Sequence, residues 1–335
     1  MSDRFDEVMR KYLVPMSAFA GPPVDSVYFL HKKGGLVYCE GYAHPPDGFY
    51  GALIKYQDPK GHIDIFGRKF NWTHRRYEKG ELVIIPGDQQ VRRMKRIYPE
   101  LAGRPPSPPF ADHFCHFRFD EMLGFFDTKR SMEILCDENP RLREVVASLE
   151  GLLGVPRERI GCSGSLAYGF YEEPLEDVDS TFFGTVEQNY EVVLRILELL
   201  KREPHRAVIE LGKTWPIRFK HMGTLICPFF RYAVPEEIPY RDFRMELVAR
   251  DVAMTGTVAD ARHTPYLPAV LPLENVKQAR RPRAPIELII YDGALRGELF
   301  AGDRVRLKCK LVKVDKGGRA HEAALVTKPG EMRKV

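Results

Sequence analysis

From Val24 to Ile85, apolar and polar positions alternate in short runs (VYFL, LVYCEGYA, YGALIKY, HIDIFG, ELVIIPG). Turn formers such as Gly34-Gly35, Pro45-Pro46-Asp47-Gly48 and Asp58-Pro59-Lys60-Gly61 separate them. A period of two bounded by Gly, Pro and Asp predicts strands. The period then changes: in VRRMKRIYPEL, Val91, Met94 and Tyr98 share one helical face. The prolines of GRPPSPPFADHF fit neither a helix nor a central strand, which places a boundary near residue 105.

Beyond it, Leu142, Val145, Val146, Leu149 and Leu152 or Leu153 recur at helical intervals, and Gly154 supplies the stop. RIGCSGSLAYGF predicts a short strand, a glycine turn and a new helix, followed by an extended DVDSTFFG. Tyr190, Val193, Leu194, Leu197 and Leu200 define an amphipathic helix over 187–202, after which AVIEL, IRFKHM and TLICPFFRY are extended. Past Tyr240 the strand pattern returns. It ends in a hairpin whose Val305, Leu307, Cys309, Leu311 and Val314 largely alternate around a Lys316-Gly317-Gly318 turn.

The expected fold class is multidomain α/β (α+β). A β-rich module spans 1–105, a proline-rich connector 106–129, and a mixed-sheet core with covering helices 130–235. A small β-barrel of the oligonucleotide-binding type spans 236–335.

Composition changes this picture little. A chain of 335 residues with 44% hydrophobic and 29% charged residues is long enough for several cores and is neither disordered nor fibrous in character. The six cysteines are scattered without a CxxC pair, and His113, Cys115 and His116 lack a fourth ligand, so reduced thiols and no zinc site are expected. The N-terminal segment has no continuous apolar stretch, so a cytoplasmic protein with no membrane partner is expected. A net charge of +5 is a weak bias. Two basic clusters, Arg92, Arg93, Lys95 and Arg96, then Lys277, Arg280, Arg281 and Arg283, either meet phosphates or are solvated surface.

The candidate chemistry lies in the central segment. Strand alternation projects Asp177 and Asp179 from one face, with Val178 on the other. Two such carboxylates repel unless a divalent cation with oxygen ligands, Mg²⁺ or Mn²⁺, holds both ionised. Gly164-Ser165 falls where a strand is expected to turn into a helix, so backbone N–H groups, a hydroxyl and a helix N-terminus would converge on a phosphate. Neither a nucleophile elbow nor a GxxxxGK[ST] loop accompanies them.

GSLAYGFYEEPLEDVDSTFF resembles the signature of the DNA polymerase β-like nucleotidyltransferases: Gly-Ser, about ten residues, then two acids separated by one apolar residue. The resemblance covers about a third of the chain. It is nearest to predicted nucleotidyltransferases of prokaryotes. It implies that Asp177 and Asp179 are catalytic metal ligands, that Gly164 and Ser165 hold a nucleoside triphosphate, and that a nucleoside monophosphate passes to a hydroxyl acceptor with release of pyrophosphate. Arg218 and Lys220 share a strand face and are the further candidates for nucleotide binding. The acceptor is open: nucleic acid, protein or a small molecule. Tyr168 and Tyr171 either stack on a base or pack in the core.

The chain departs from the pattern at the third acid that active members carry on a later strand. The matching stretch, Thr224 to Phe230, has none, and Glu210 is the nearest earlier carboxylate. A protein that binds nucleotide or nucleic acid without turnover is therefore the alternative expectation.

Overall fold

The computed structural model describes residues 3–78, 81–210, 212–279 and 281–335; Arg280 of the second basic cluster lies outside them. Among the described residues it contains five α-helices and sheets of eight, five and seven strands, with a two-stranded hairpin beside them. The protein is thus a mixed α/β structure with several sheets.

The N-terminal sheet grows from the alternating runs. Tyr28–His31, Leu36–Cys39 and Gly48–Gln57 are consecutive antiparallel neighbours, and Arg68–Trp72 continues beyond the last. Two strands come from the segment expected to be a connector. Cys115–Arg118 pairs with Gly48–Gln57, and Met122–Phe126 lies between Leu13–Pro15 and Tyr28–His31. The prolines stop the chain only as far as Phe114; CHFR and MLGFF then alternate and join the sheet. Helix α1 (Arg4–Tyr12) precedes the sheet. Asp3 caps it by accepting from Phe5 N at 2.7 Å, and Phe5, Met9 and Tyr12 form its buried face. Helix α2 (Gly87–Ile97) buries Met94 against the sheet.

In the central segment α3 (Thr128–Glu138) starts ahead of the expected boundary, capped by Asp127 through Lys129 N at 3.0 Å and Arg130 N at 2.9 Å. Helix α4 (Pro140–Leu153) ends at Gly154, whose φ of 63° a β-carbon resists. Helix α5 (Val186–Arg202) opens with a capping box between Thr185 and Gln188.

The central sheet runs in the order Ile160–Cys162, Asp177–Gly184, Thr224–Tyr232, Lys213–His221, Ala207–Glu210. Asp177–Gly184 and Thr224–Tyr232 are parallel and the other pairs antiparallel. Val178, Phe182, Ile226 and Phe230 are buried in one core with Leu142, Val145 and Leu149 of α4 and Val193 and Ile196 of α5. Alternation therefore turns Asp177, Asp179 and Cys227 to the face away from these helices.

In the C-terminal sheet Arg244–Val258 pairs with both Ala269–Gln278 and Arg304–Lys316. The pairing then runs from Ala269–Gln278 through Ile286–Ile290 and Arg319–Val326 to Arg304–Lys316, so the sheet curls back on its first strand.

The C-terminal sheet encloses an apolar cluster of its own around Leu271, Leu288 and Leu307, and two further clusters cross the expected module boundaries. One apolar cluster joins Phe5, Tyr28, Tyr38 and Phe70 to the central segment, and another joins Phe29, Phe49 and Phe117 to Leu267, Tyr291 and Leu325. Polar contacts reinforce the second seam, and an aromatic stack joins the central segment to the C-terminal part. Arg296 Nη2 and Asp25 Oδ2 form an ion pair at 2.8 Å, 7% and 0% exposed, and Asp25 also accepts from Ser26 Oγ and Gly41 N. Lys310 Nζ reaches Asp112 Oδ2 at 2.6 Å. Tyr232 and Tyr266 stack at 3.8 Å with an interplanar angle of 8°.

Candidate functional site

Two antiparallel strands place the site. Ile160–Cys162 pairs with Asp177–Gly184 in the register Cys162 to Ser180, and Ser163 N donates to Asp179 O at 2.8 Å. The next residue, Gly164, therefore turns directly over the Asp179 side chain. Its φ is 59°, and a β-carbon there would stand 2.7 Å from Asp179 Cγ and overlap Oδ2. Only glycine combines that backbone conformation with this approach. Ser163, buried, fixes the turn from behind by donating its Oγ to Ser26 O at 3.0 Å.

The helix expected after the turn is a single 3-10 segment, Gly164–Tyr168, closed by Gly169 in the left-handed conformation. The reason lies in the sequence: Gly169-Phe170 stops the run, and a β-carbon at Gly169 would enter the Tyr12 ring. A turn this short has little macrodipole. What it offers is donors. Among the described residues, the N–H groups of Gly164 and Ser165 have no acceptor, and Ser165 is only half-buried.

Asp177 and Asp179 share a strand face as expected, Asp177 exposed and Asp179 half-buried. Burial, then the Asp177 charge, push the Asp179 carboxyl up to about 7, against opposing pulls from Arg218, Lys55 and the Cys227 thiol. Asp177 is raised as well, first by desolvation of its carboxyl even though the residue as a whole remains exposed, with Lys55 the largest opposing charge. Two carboxyls held above their usual range, with a glycine turn against one of them, are oxygen groups whose ionised forms a bound cation would favour.

Of the two expected cations, Arg218 reaches the carboxylates electrostatically, with its guanidinium 3.6 Å over the Trp215 ring and Nη1 donating to Glu210 Oε2 at 3.0 Å. Glu210 is thus engaged by Arg218. Lys220 is exposed farther along the same strand, paired through its backbone with Leu225. Tyr168 is 1% exposed, its ring 6.0 Å from Tyr28, so it belongs to the core, and half-buried Tyr171 packs on the same cluster.

Two neighbours were not singled out from sequence. Cys227 is the register partner of Asp179 in the parallel pair, so a thiol stands beside Asp179 in the stretch that has no acid. Burial and the Asp179 charge raise that thiol well above its usual range, which keeps it neutral. Lys55 enters from the N-terminal sheet: its Nζ donates to Tyr168 Oη at 2.7 Å, and burial brings its ammonium down to about 8. The only local sign of Lys55 is a charge inside an apolar strand; its distance in sequence from Asp177 hides the meeting.

A second group of ligand types, His31, Glu100 and Glu121, has its atoms within 4.8 Å of one another. His31 Nδ1 accepts from Lys33 N at 3.0 Å, so in the neutral ring the proton sits on Nε2 and no free nitrogen lone pair remains. Lys33 already pairs with Glu100, and Arg104 with Glu121. This group is a compensated polar cluster. Hollows of about 760 and 860 Å³ open beside α1 and beside Arg104 and His116, and neither is lined by Asp177 or Asp179. Size alone does not lead to the carboxylates.

Comparison with known proteins returned no matching family model, no matching curated protein and no matching solved structure. Among the described residues, no helix is long and apolar enough to cross a membrane, and all six cysteines are unpaired and buried.

Proposed function

We propose that the central segment is a nucleotidyltransferase core that transfers a nucleoside monophosphate from a triphosphate to a hydroxyl acceptor. The observation that carries the proposal is the Gly164 turn seated against the Asp179 carboxylate, with Asp177 beside it on the same strand face. Unpaired N–H groups of Gly164 and Ser165, with the Ser165 hydroxyl, bind phosphate oxygens of the triphosphate. Arg218 and Lys55 bring positive charge to the same place and balance the incoming phosphates. A Mg²⁺ or Mn²⁺ ion held by Asp177 and Asp179 would neutralise charge on the transferred group and on the leaving pyrophosphate. Lys220, exposed on the Arg218 strand face, serves the triphosphate tail or the acceptor.

The curled C-terminal sheet supports a small barrel of the oligonucleotide-binding type, though fold alone assigns it no ligand. Six buried, unpaired cysteines suit a reducing cytoplasmic setting.

The reading is tested by incubating the protein with labelled nucleoside triphosphates, Mg²⁺ or Mn²⁺ and candidate acceptors. Transfer that disappears in Asp177→Asn and Asp179→Asn is the expected result; transfer unchanged in both variants rejects it. Cys227 favours a second reading, nucleotide binding without turnover, because a neutral thiol does not serve as the base that a third carboxylate would be. Metal-dependent nucleotide binding with no transfer to any acceptor would select that reading.

A further inference from the structure

The face that carries Lys55 also carries a row of rings, Trp72, Tyr77 and His62. Lys55 and Trp72 are direct cross-strand partners, so their side chains lie on one face of the N-terminal sheet. The Trp72 ring is 6.1 Å from Tyr77, which is in turn 5.5 Å from the exposed His62. Tyr77 is 51% exposed, and Trp72 is half-buried. Arg75 sits two residues before Tyr77 on the same strand, near enough to act on both Lys55 and Asp177.

Among the described residues, neither Lys55 nor Arg75 has a carboxylate at ion-pair distance, and Arg75 Nε is enclosed without an acceptor. Nearby Arg68 and Arg76 are both paired with acids. Unpaired cations beside open aromatic faces match a ligand that alternates phosphates with planar rings. Three rings in succession, Trp72, Tyr77 and His62, exceed what the single base of a mononucleotide would cover.

We propose that Lys55, Trp72, Arg75, Tyr77 and His62 form a track for the end of a single-stranded nucleic acid, with phosphates on Lys55 and Arg75 and bases on Trp72 and Tyr77. The track lies on the N-terminal sheet and the hairpin beside it, outside the transferase-like segment, and leads the strand's terminal hydroxyl toward Asp177. The identity of the reacting end rests on the transfer reading; binding along the track does not.

Fluorescence anisotropy of labelled oligonucleotides of about twelve nucleotides, within the usual span of such sites, tests the track. EDTA in place of metal, no nucleoside triphosphate, and Asp177→Asn as well as the unchanged chain keep the result independent of catalysis. Single-stranded DNA or RNA should bind with affinity that falls as salt rises, and Asp177→Asn should retain that binding. Tyr77→Ala should weaken it roughly 5- to 150-fold, the range for loss of one stacked base. Arg75→Gln should lower the salt slope by about 0.7, the value for one lost phosphate contact on a single strand. Unchanged melting temperatures in both variants exclude unfolding as the cause. No oligonucleotide binding at low salt overturns the proposal. So does equal binding by Tyr77→Ala and Arg75→Gln, or a mononucleotide or duplex that binds as tightly as the single strand.

Discussion

On the proposed reading, in which Asp177 and Asp179 hold a divalent cation, Asp179 makes that binding a proton-linked reaction. In the folded, metal-free protein its carboxyl is held up to about 7, by burial first and the Asp177 charge second, against an ordinary value of 3.8. A divalent cation needs the ionised form, so binding below about pH 7 must expel a proton. Two pH units below that value only about one molecule in a hundred is ionised, so Mn²⁺ affinity at about pH 5 should be about 100-fold weaker than its plateau above about pH 8. Calorimetry in buffers of different ionisation enthalpy should count about 0.9 proton released from Asp179 per Mn²⁺ at about pH 6 and about 0.1 at about pH 8. The sign for stability is opposite. A carboxyl with a raised folded pKa contributes fully below 3.8, and the metal-free protein loses that contribution as pH rises to about 7. Asp179→Asn should therefore raise the melting temperature of the metal-free protein at about pH 8 while removing Mn²⁺ binding. An Mn²⁺ affinity that is flat between about pH 5 and about pH 8, with no proton release, would refute the reasoning.

Gly164→Ala should weaken Mn²⁺ binding at least about tenfold by displacing the Asp179 carboxylate, with about 1–2 kcal/mol of lost stability from its positive φ; paramagnetic titration and urea unfolding separate the two effects. Cys227→Asp should lower the stability of the metal-free protein, because it adds a buried carboxylate beside Asp179, and Mn²⁺ should restore it. The same variant should increase transfer in the labelled-nucleotide assay; no gain in metal affinity or turnover would separate Cys227 from the third-acid position. Arg296→Met leaves Asp25 buried without its cation and should cost about 3–5 kcal/mol in denaturant unfolding. A loss under about 1 kcal/mol would mean that water reaches Asp25.

Legibility in the sequence followed the range of the forces involved. Helices α4 and α5 were readable because their apolar residues recur at fixed spacing, and Gly154 marks the end of α4. Asp177 and Asp179 were readable for the same local reason, strand alternation. Helix α1 had a readable face in Phe5, Met9 and Tyr12, yet its mixed charges drew attention to targeting instead of structure. The helix expected after Gly164 shrank to one turn because Gly169 ends it where Tyr12 of a distant helix packs. The connector was overextended because its prolines outweighed the alternation in CHFR and MLGFF, whose partners lie more than sixty residues earlier. Lys55, Cys227 beside Asp179, and the Asp25–Arg296 pair depend on contacts between remote segments, to which no local period points.

Crystals grown with Mn²⁺ and a non-hydrolysable nucleoside triphosphate analogue give the most direct measurement. Anomalous scattering should place the ion between the Asp177 and Asp179 carboxylates, with a phosphate oxygen at hydrogen-bond distance from the Gly164 or Ser165 N–H. Density for ion and nucleotide elsewhere on the molecule, with the two carboxylates free of both, would contradict the account.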